Sequence, residues 1–459
     1  MIDKTDFDKL YNNRDFWVNR INLLKNLEKY GIESVPNILK DFHYPDNFNN
    51  ANLNLIAKLI NIGATADVCN EVNKCDNNSC LKLNPNLVAI NLDKVRDLGI
   101  DGKDVVVAVV DSGIIYNHPD LDKSRILFYK DFSGESDENN PKDILGHGTH
   151  VASLIGGSGK ISNGYNQGVA PGVKFVILRI TSVSEIIKAL EWLKENGKKY
   201  NVKVVNLSIG VDPKTGYLND TIAKLANDLA QDYTVVAAAG NDYANETIDS
   251  PGIAPDVITV GGIDTKNTCD KSDDTIYDAS SKGPTPFDLL DKPDVVAPAK
   301  MLPGARVPGS VFDPYKNQKL NTNSNQISVN YMIHNEKNII NPELNKIYKI
   351  NDKNIDNNND DNNNDSWQGK YYINLSGTSG ATAIVSGVAA LIYQVLPNAT
   401  PKLVKEIITK TANKIKDPAN NELYDKYSQG AGVVDAYNAV KYAMSLNNKN
   451  TNNSNTMLA

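Results

Sequence analysis

Apolar and polar residues follow two different rhythms along this chain, and the rhythm changes near residue 86. Before that point Trp17, Ile21, Leu24 and Leu27 recur at helical spacing up to Gly31. Leu55, Ile56, Leu59 and Ile60 do the same up to Gly63. Apolar residues three and four apart share one face of a helix, so residues 1–85 are expected to form a separate helical region. From residue 86 short β-branched runs take over: Val105–Val110, Phe175–Leu178, Val202–Leu207, Thr234–Ala239 and Val257–Val260. Runs without polar alternation suit strands covered on both faces. Helical patterns lie between them, including Ser184–Asn196, with Ile186, Ile187, Leu190 and Leu193 on one face and Gly197 after it, and Thr221–Leu229. Strand and helix in alternation predict an α/β fold, a parallel β-sheet flanked by helices.

The regularity is expected to stop over residues 299–370, an Asn-rich insertion whose 351–365 stretch is almost entirely Asn and Asp. Such a stretch has too little apolar surface to order itself. The part ahead of it, 327–350, has alternating apolar residues and predicts a strand or two. Helical spacing returns at Thr378–Tyr393, at a helix opened by Thr400-Pro401 and running to about Ala412, and at Val434–Met444. Residues 446–459 read as a disordered polar tail. The domain at the centre of the chain is thus expected to span 86–445.

Composition narrows the function. With 459 residues, 41% hydrophobic and 22% charged, the chain has an ordinary globular make-up. Its net charge of −7 is spread along the chain, with no Lys/Arg block to track a phosphate backbone, so nucleic acid is excluded as an expected partner. Neither a basic-then-apolar leader nor an apolar run of about 18 residues is seen, which argues for a cytoplasmic protein without a membrane partner. Cys69, Cys75, Cys80 and Cys269 are too few for a disulfide scaffold, and C-x5-C-x4-C without a nearby His does not suit zinc. They are expected to be free thiols.

Three motifs stand where strands end or helices begin. Asp111-Ser-Gly follows the first strand and brings a carboxylate to the C-terminal edge of a parallel sheet, where α/β folds place ligands. His147, in Gly146-His-Gly-Thr-His-Val-Ala152, lies at the start of a short apolar helix among small residues. Ser379, in Leu375-Ser-Gly-Thr-Ser-Gly-Ala-Thr382, opens a long apolar helix whose N-terminal N–H groups face developing negative charge. Serine is a weak nucleophile until an imidazole takes its proton, and the imidazole needs a carboxylate to fix its tautomer. Asn241, after Ala237-Ala-Ala-Gly240, offers an amide for an oxyanion. Each piece alone reads as a turn or a cap, but the order Asp, His, Ser is one of three known triad orders and excludes the other two.

These motifs, with Gly168-Val-Ala-Pro171, Val205-Asn-Leu-Ser-Ile-Gly210 and Val295-Val-Ala-Pro298, resemble the signatures of the subtilisin-like serine proteases (subtilases, peptidase family S8) across residues 86–445. The resemblance implies a serine endopeptidase in which Asp111 orients His147, His147 is the general base and Ser379 forms the acyl-enzyme. Asn241 would bind the oxyanion. An extended polypeptide substrate would pair with Ser208, Ile209 and Gly210, with Gly240 forming a wall of the primary pocket. The chain departs from the family at Gly380 and Ala383, and in the 138 positions separating Asn241 from Ser379. The segment before Gly168 is short for the family's calcium loop, so structural calcium, possible in such a fold, is not assigned there, and no cofactor is expected for the chemistry.

Aligning Ser250-Pro-Gly252 with the family's segment after the pocket puts Asp249 near the pocket floor, which predicts a preference for Arg or Lys before the scissile bond. Residues 1–85 are either a pro-region that inhibits the active site intramolecularly or a regulatory domain. The rival to an enzyme is a catalytically silent scaffold of the same fold that binds peptides.

Overall fold

The computed structural model describes residues 83–314 and 369–456. Two short helices, α1 (Pro85–Ala89) and α2 (Leu92–Arg96), lead into β1 (Val106–Asp111) and β2 (Ile126–Asp131). Then come α3 (His147–Gly156), β3 (Lys174–Arg179), α4 (Val183–Asn196), β4 (Val202–Leu207), α5 (Thr221–Leu229), β5 (Thr234–Ala238) and β6 (Ile258–Asp264). The strands β7 (Thr275–Ile276), β8 (Val295–Pro298), β9 (Leu302–Ala305) and β10 (Tyr372–Leu375) follow. The helices α6 (Thr378–Val395), α7 (Pro401–Thr411), α8 (Lys426–Gln429) and α9 (Ala436–Thr456) complete the described chain.

The main sheet runs β2-β3-β1-β4-β5-β6, all parallel, with β8 parallel and β7 antiparallel to β6. Every residue of β1 is buried, because successive side chains go to opposite faces and both faces are covered. Val107 and Val109 join Phe175, Ile177, Val204 and Val236 under α3, α6, α7 and α9. Val106, Ala108 and Val110 join Val176, Leu178 and Val205 under α4 and α5. This is the α/β architecture expected, and the helices Thr221–Leu229 and Pro401–Thr411 fall where spacing places them. Both start at a side-chain cap: Asp220 accepts the Ala223 N–H at 2.9 Å and Thr400 accepts the Leu403 N–H at 3.2 Å.

α6 is long and apolar enough to cross a membrane, yet 83% of its 18-residue window is buried inside the fold. It is the core helix, packed on α3, α9 and strands β4, β5 and β6. An all-round apolar helix is what a position between a sheet and other helices requires.

Three expectations are corrected. Regular structure does not stop at Ala299: β9 pairs antiparallel with β10, which lies some 70 positions later, and Leu302 and Ala305 are buried. Sequence spacing cannot show a strand whose partner lies beyond an insertion. The expected tail at 446–459 is helical as far as Thr456, since a helix anchored through Ala439, Val440 and Ala443 extends at little cost per residue. Cys269 is disulfide-bonded rather than a free thiol, and its partner lies outside the described residues, as do the helices expected in 1–85 and the strands expected in 327–350.

Candidate active site

β1 ends on Asp111, whose side chain is 3% exposed, and its Oδ1 lies 2.8 Å from His147 Nδ1. The imidazole stands at the first turn of α3, where Gly146 supplies the left-handed turn that the cap requires. Asp143 secures that turn. Its Oδ1 accepts the Gly146 N–H at 2.8 Å, and its Oδ2 accepts the Thr149 N–H at 2.8 Å and the Thr149 hydroxyl at 2.6 Å. Ser112 ties the two motifs together, donating to Asp143 at 2.8 Å and accepting the Gly148 N–H at 2.9 Å.

Burial works against a charged imidazole at His147, but the charge of Asp111 and its hydrogen bond outweigh burial and raise the pKa above the ordinary value. His150, one turn on, goes the other way. Burial is the largest cause, and it lowers the pKa to about 4. That neutral ring is bonded through Nε2 to the Leu302 carbonyl at 3.0 Å, which locks α3 to β9.

Ser379 is the second residue of α6. Its hydroxyl donates to the Ser208 carbonyl at 3.0 Å rather than to His147, and the Ser208 hydroxyl in turn donates to the Ser379 carbonyl at 2.7 Å. A buried chain of bonds continues beneath: Asn206 Nδ2 donates to Ser208 Oγ, and Ser386 Oγ donates to Asn206 Oδ1, each at 2.9 Å. Asn241, just past β5, accepts the Thr378 N–H through Oδ1 at 2.9 Å. The Thr378 hydroxyl bridges the N–H and carbonyl of Gly240 at 3.2 and 3.1 Å. Asn241, Gly240, Ser208 and Ser379 therefore meet at the C-terminal edge of the sheet that also carries Asp111. A Cβ at Gly380, the residue after Ser379, would run into Leu302 Cδ1.

Asp249 is 2% exposed, and its carboxylate lies against two glycines. A Cβ on Gly240 would sit 2.8 Å from Asp249 Oδ2, and one on Gly210 would overlap the same oxygen. Gly240, at φ +111°, also needs glycine for its backbone. Gly210, Gly240 and Asp249 thus form one cluster, beside Ser208 and Ile209.

Sequence reasoning missed Asp143, Ser112 and Thr378, whose roles are in positioning. Asp143 alone carried a signal, an acidic residue just ahead of a helix start.

A family model described as the subtilase family matches residues 102–432. Among curated proteins, serine protease AprX of Bacillus subtilis (strain 168) is 32% identical over 355 residues, covering 74% of this chain and 67% of that protein. The major intracellular serine protease of the same organism is 33% identical over 175 residues, covering 36% of this chain and 53% of its own length. The solved structure of the prenylagaramide maturation protease PagA matches with a TM-score of 0.50 at 22% identity, over 77% of this chain and 98% of that one, a likeness of fold.

Proposed function

The chain belongs to the subtilase family and is a serine endopeptidase, and from that premise we propose which of its residues do the work and what they select. His147 acts as general base toward Ser379, Asp111 holds the imidazole tautomer and offsets its developing charge, and Ser379 carries the acyl group. Asn241 and the Ser379 N–H meet the oxyanion; because Asn241 Oδ1 already accepts the Thr378 N–H, its Nδ2 is the donor left for that task. The observation that carries this reading is the 2.8 Å Asp111–His147 pair at the same sheet edge as Ser379.

An extended polypeptide would add as a strand along Ser208-Ile209-Gly210, with its P1 side chain entering between Gly210 and Gly240. The Asp249 carboxylate, buried against both glycines, supports selection of Arg or Lys at P1. The chemistry of this reading calls on no cofactor, and structural calcium is not assigned. Asp120 Oδ1 accepts the Ile161 N–H and the Ser158 hydroxyl, each at 3.2 Å, while Oδ2 accepts the Tyr372 hydroxyl, so protein donors already satisfy both oxygens beside the 158–168 loop.

The test is turnover of a fluorogenic peptide panel by wild type, Ser379→Ala and Asp249→Asn. Ser379→Ala should lose about 10^4-fold or more in kcat, and Asp249→Asn should lose at least about 10-fold on basic P1 relative to Leu or Phe. Cleavage that survives in Ser379→Ala sinks the triad. Wild type that does not prefer basic P1 sinks the Asp249 assignment. A wild-type chain that binds these peptides without cutting them would favour the silent scaffold.

A further inference from the structure

The stem of the insertion ahead of Ser379 reaches the imidazole. Arg306, 7% exposed, grips the buried Asp313 with two bonds, Nε to Oδ1 at 2.7 Å and Nη2 to Oδ2 at 2.9 Å. The same guanidinium donates through Nη1 to the Gly369 carbonyl at 2.8 Å, and the Arg306 N–H donates to the Tyr371 carbonyl at 2.8 Å. The Gly309 N–H donates to Asp313 Oδ2 at 2.7 Å. One guanidinium therefore fastens the two ends of the insertion together and closes the 307–312 loop.

That closed loop docks on the residues just ahead of α3. The Val311 N–H donates to the Ile144 carbonyl at 2.9 Å, and the Phe312 N–H to the Leu145 carbonyl at 3.1 Å. Phe312 then stands edge-on to His147, with ring centroids 6.2 Å apart and planes at 71°, inside the range of a favourable aromatic pair.

On the reading of His147 as general base, we infer that Phe312 is a positioning residue for the reaction: its ring fixes the tilt of the imidazole opposite Asp111 and keeps water from it. A ring held by one hydrogen bond at Nδ1 can still tilt about that bond, and a second support against its side removes the freedom. Errors of an ångström in such a group cost rate, not binding. The insertion's stem is then a working part of the active site.

The charged and titratable groups facing His147 are Asp111 on β1, Asp143 in the loop before α3, and His150, which stays neutral. None is changed by substituting Phe312. Burial is what depresses the imidazolium at His147, so uncovering the ring should move the acid limb of kcat/KM to higher pH.

The experiment measures kcat, KM and the pH profile of Phe312→Ala, Phe312→Leu and Phe312→Tyr on one peptide substrate, beside Ser379→Ala. Phe312→Ala should lower kcat about 10-fold with KM within about 2-fold, and Phe312→Tyr should restore both kcat and the acid limb. If Phe312→Ala fails to fold, Phe312→Leu carries the same expectation at about 3-fold. Wild-type kcat and acid limb in the Ala or Leu variant overturn the inference, as do losses that Tyr does not restore. A Ser379→Ala enzyme that still cleaves overturns the triad reading instead, whatever Phe312 does.

Discussion

The Asp111–His147 half of the site and its Ser379–Asn241 half are built differently. Asp111 and His147 are already joined, and local bonds from Asp143 and Ser112 set the turn that carries the imidazole. Ser379 instead points its proton at the Ser208 carbonyl, and Asn241 braces the first turn of α6 through Thr378. One half is already bonded together. On the proposed roles, the Ser379 hydroxyl has to leave that main-chain acceptor to hand its proton to His147.

Four measurements would break or sharpen this contrast, taken from the largest expected effect to the smallest. Asp111→Asn should cost about 10^4-fold in kcat at neutral pH, because the imidazole loses both its tautomer and its countercharge. Near-wild-type turnover would mean that the joined half is not what the reaction uses. Asn241→Ala should cost about 10²–10³-fold in kcat with little change in KM, since its donor serves charge that exists only in the transition state. A loss confined to KM would instead make Asn241 a substrate contact.

The pH profile tests the joined half directly. Only the neutral imidazole can accept a proton, and Asp111 raises the pKa of His147, so kcat/KM should fall as pH drops through a value above 6.5. In Asp111→Asn, burial would be opposed only by the charge of Asp143, and whatever activity remains should have its limb below that of wild type. The smallest effect belongs to the scaffold under Ser379. Ser208→Ala removes a hydroxyl that bridges Asn206 and the Ser379 carbonyl, and should cost about 1 kcal/mol of stability in urea unfolding and less than about 10-fold in kcat.

Within both halves, some residues could be read from the sequence and others could not. Asp111, His147, Asn241 and Ser379 could each be singled out from the sequence as residues at the sheet edge, because each sits in a short motif at a strand end or a helix start, and such places depend on local pattern. Asp143 was nearly legible as a helix-capping carboxylate. Thr378 and Ser112 were not, since their value lies in bonds to residues 138 and 36 positions away. The insertion was misread for the same reason: β9 finds its partner only after the intervening chain, and Phe312 meets His147 across a gap of 165 positions, on a loop bonded to the Ile144 and Leu145 carbonyls.

The order of buried β-branched runs and amphipathic helices was enough to determine a parallel sheet covered on both faces, because a run with no polar alternation has no other stable home. The sequence also determined which side chains stand at that sheet's edge. Only the tertiary structure decided how those groups meet: the bonded Asp111–His147 pair, the Ser379 hydroxyl held on Ser208, the Asp249 carboxylate between two glycines, and the ring of Phe312 beside the imidazole. Periodicity reports which way a side chain faces along its own element. The distance between two elements depends on loop closure and packing across the whole domain, which no local pattern records.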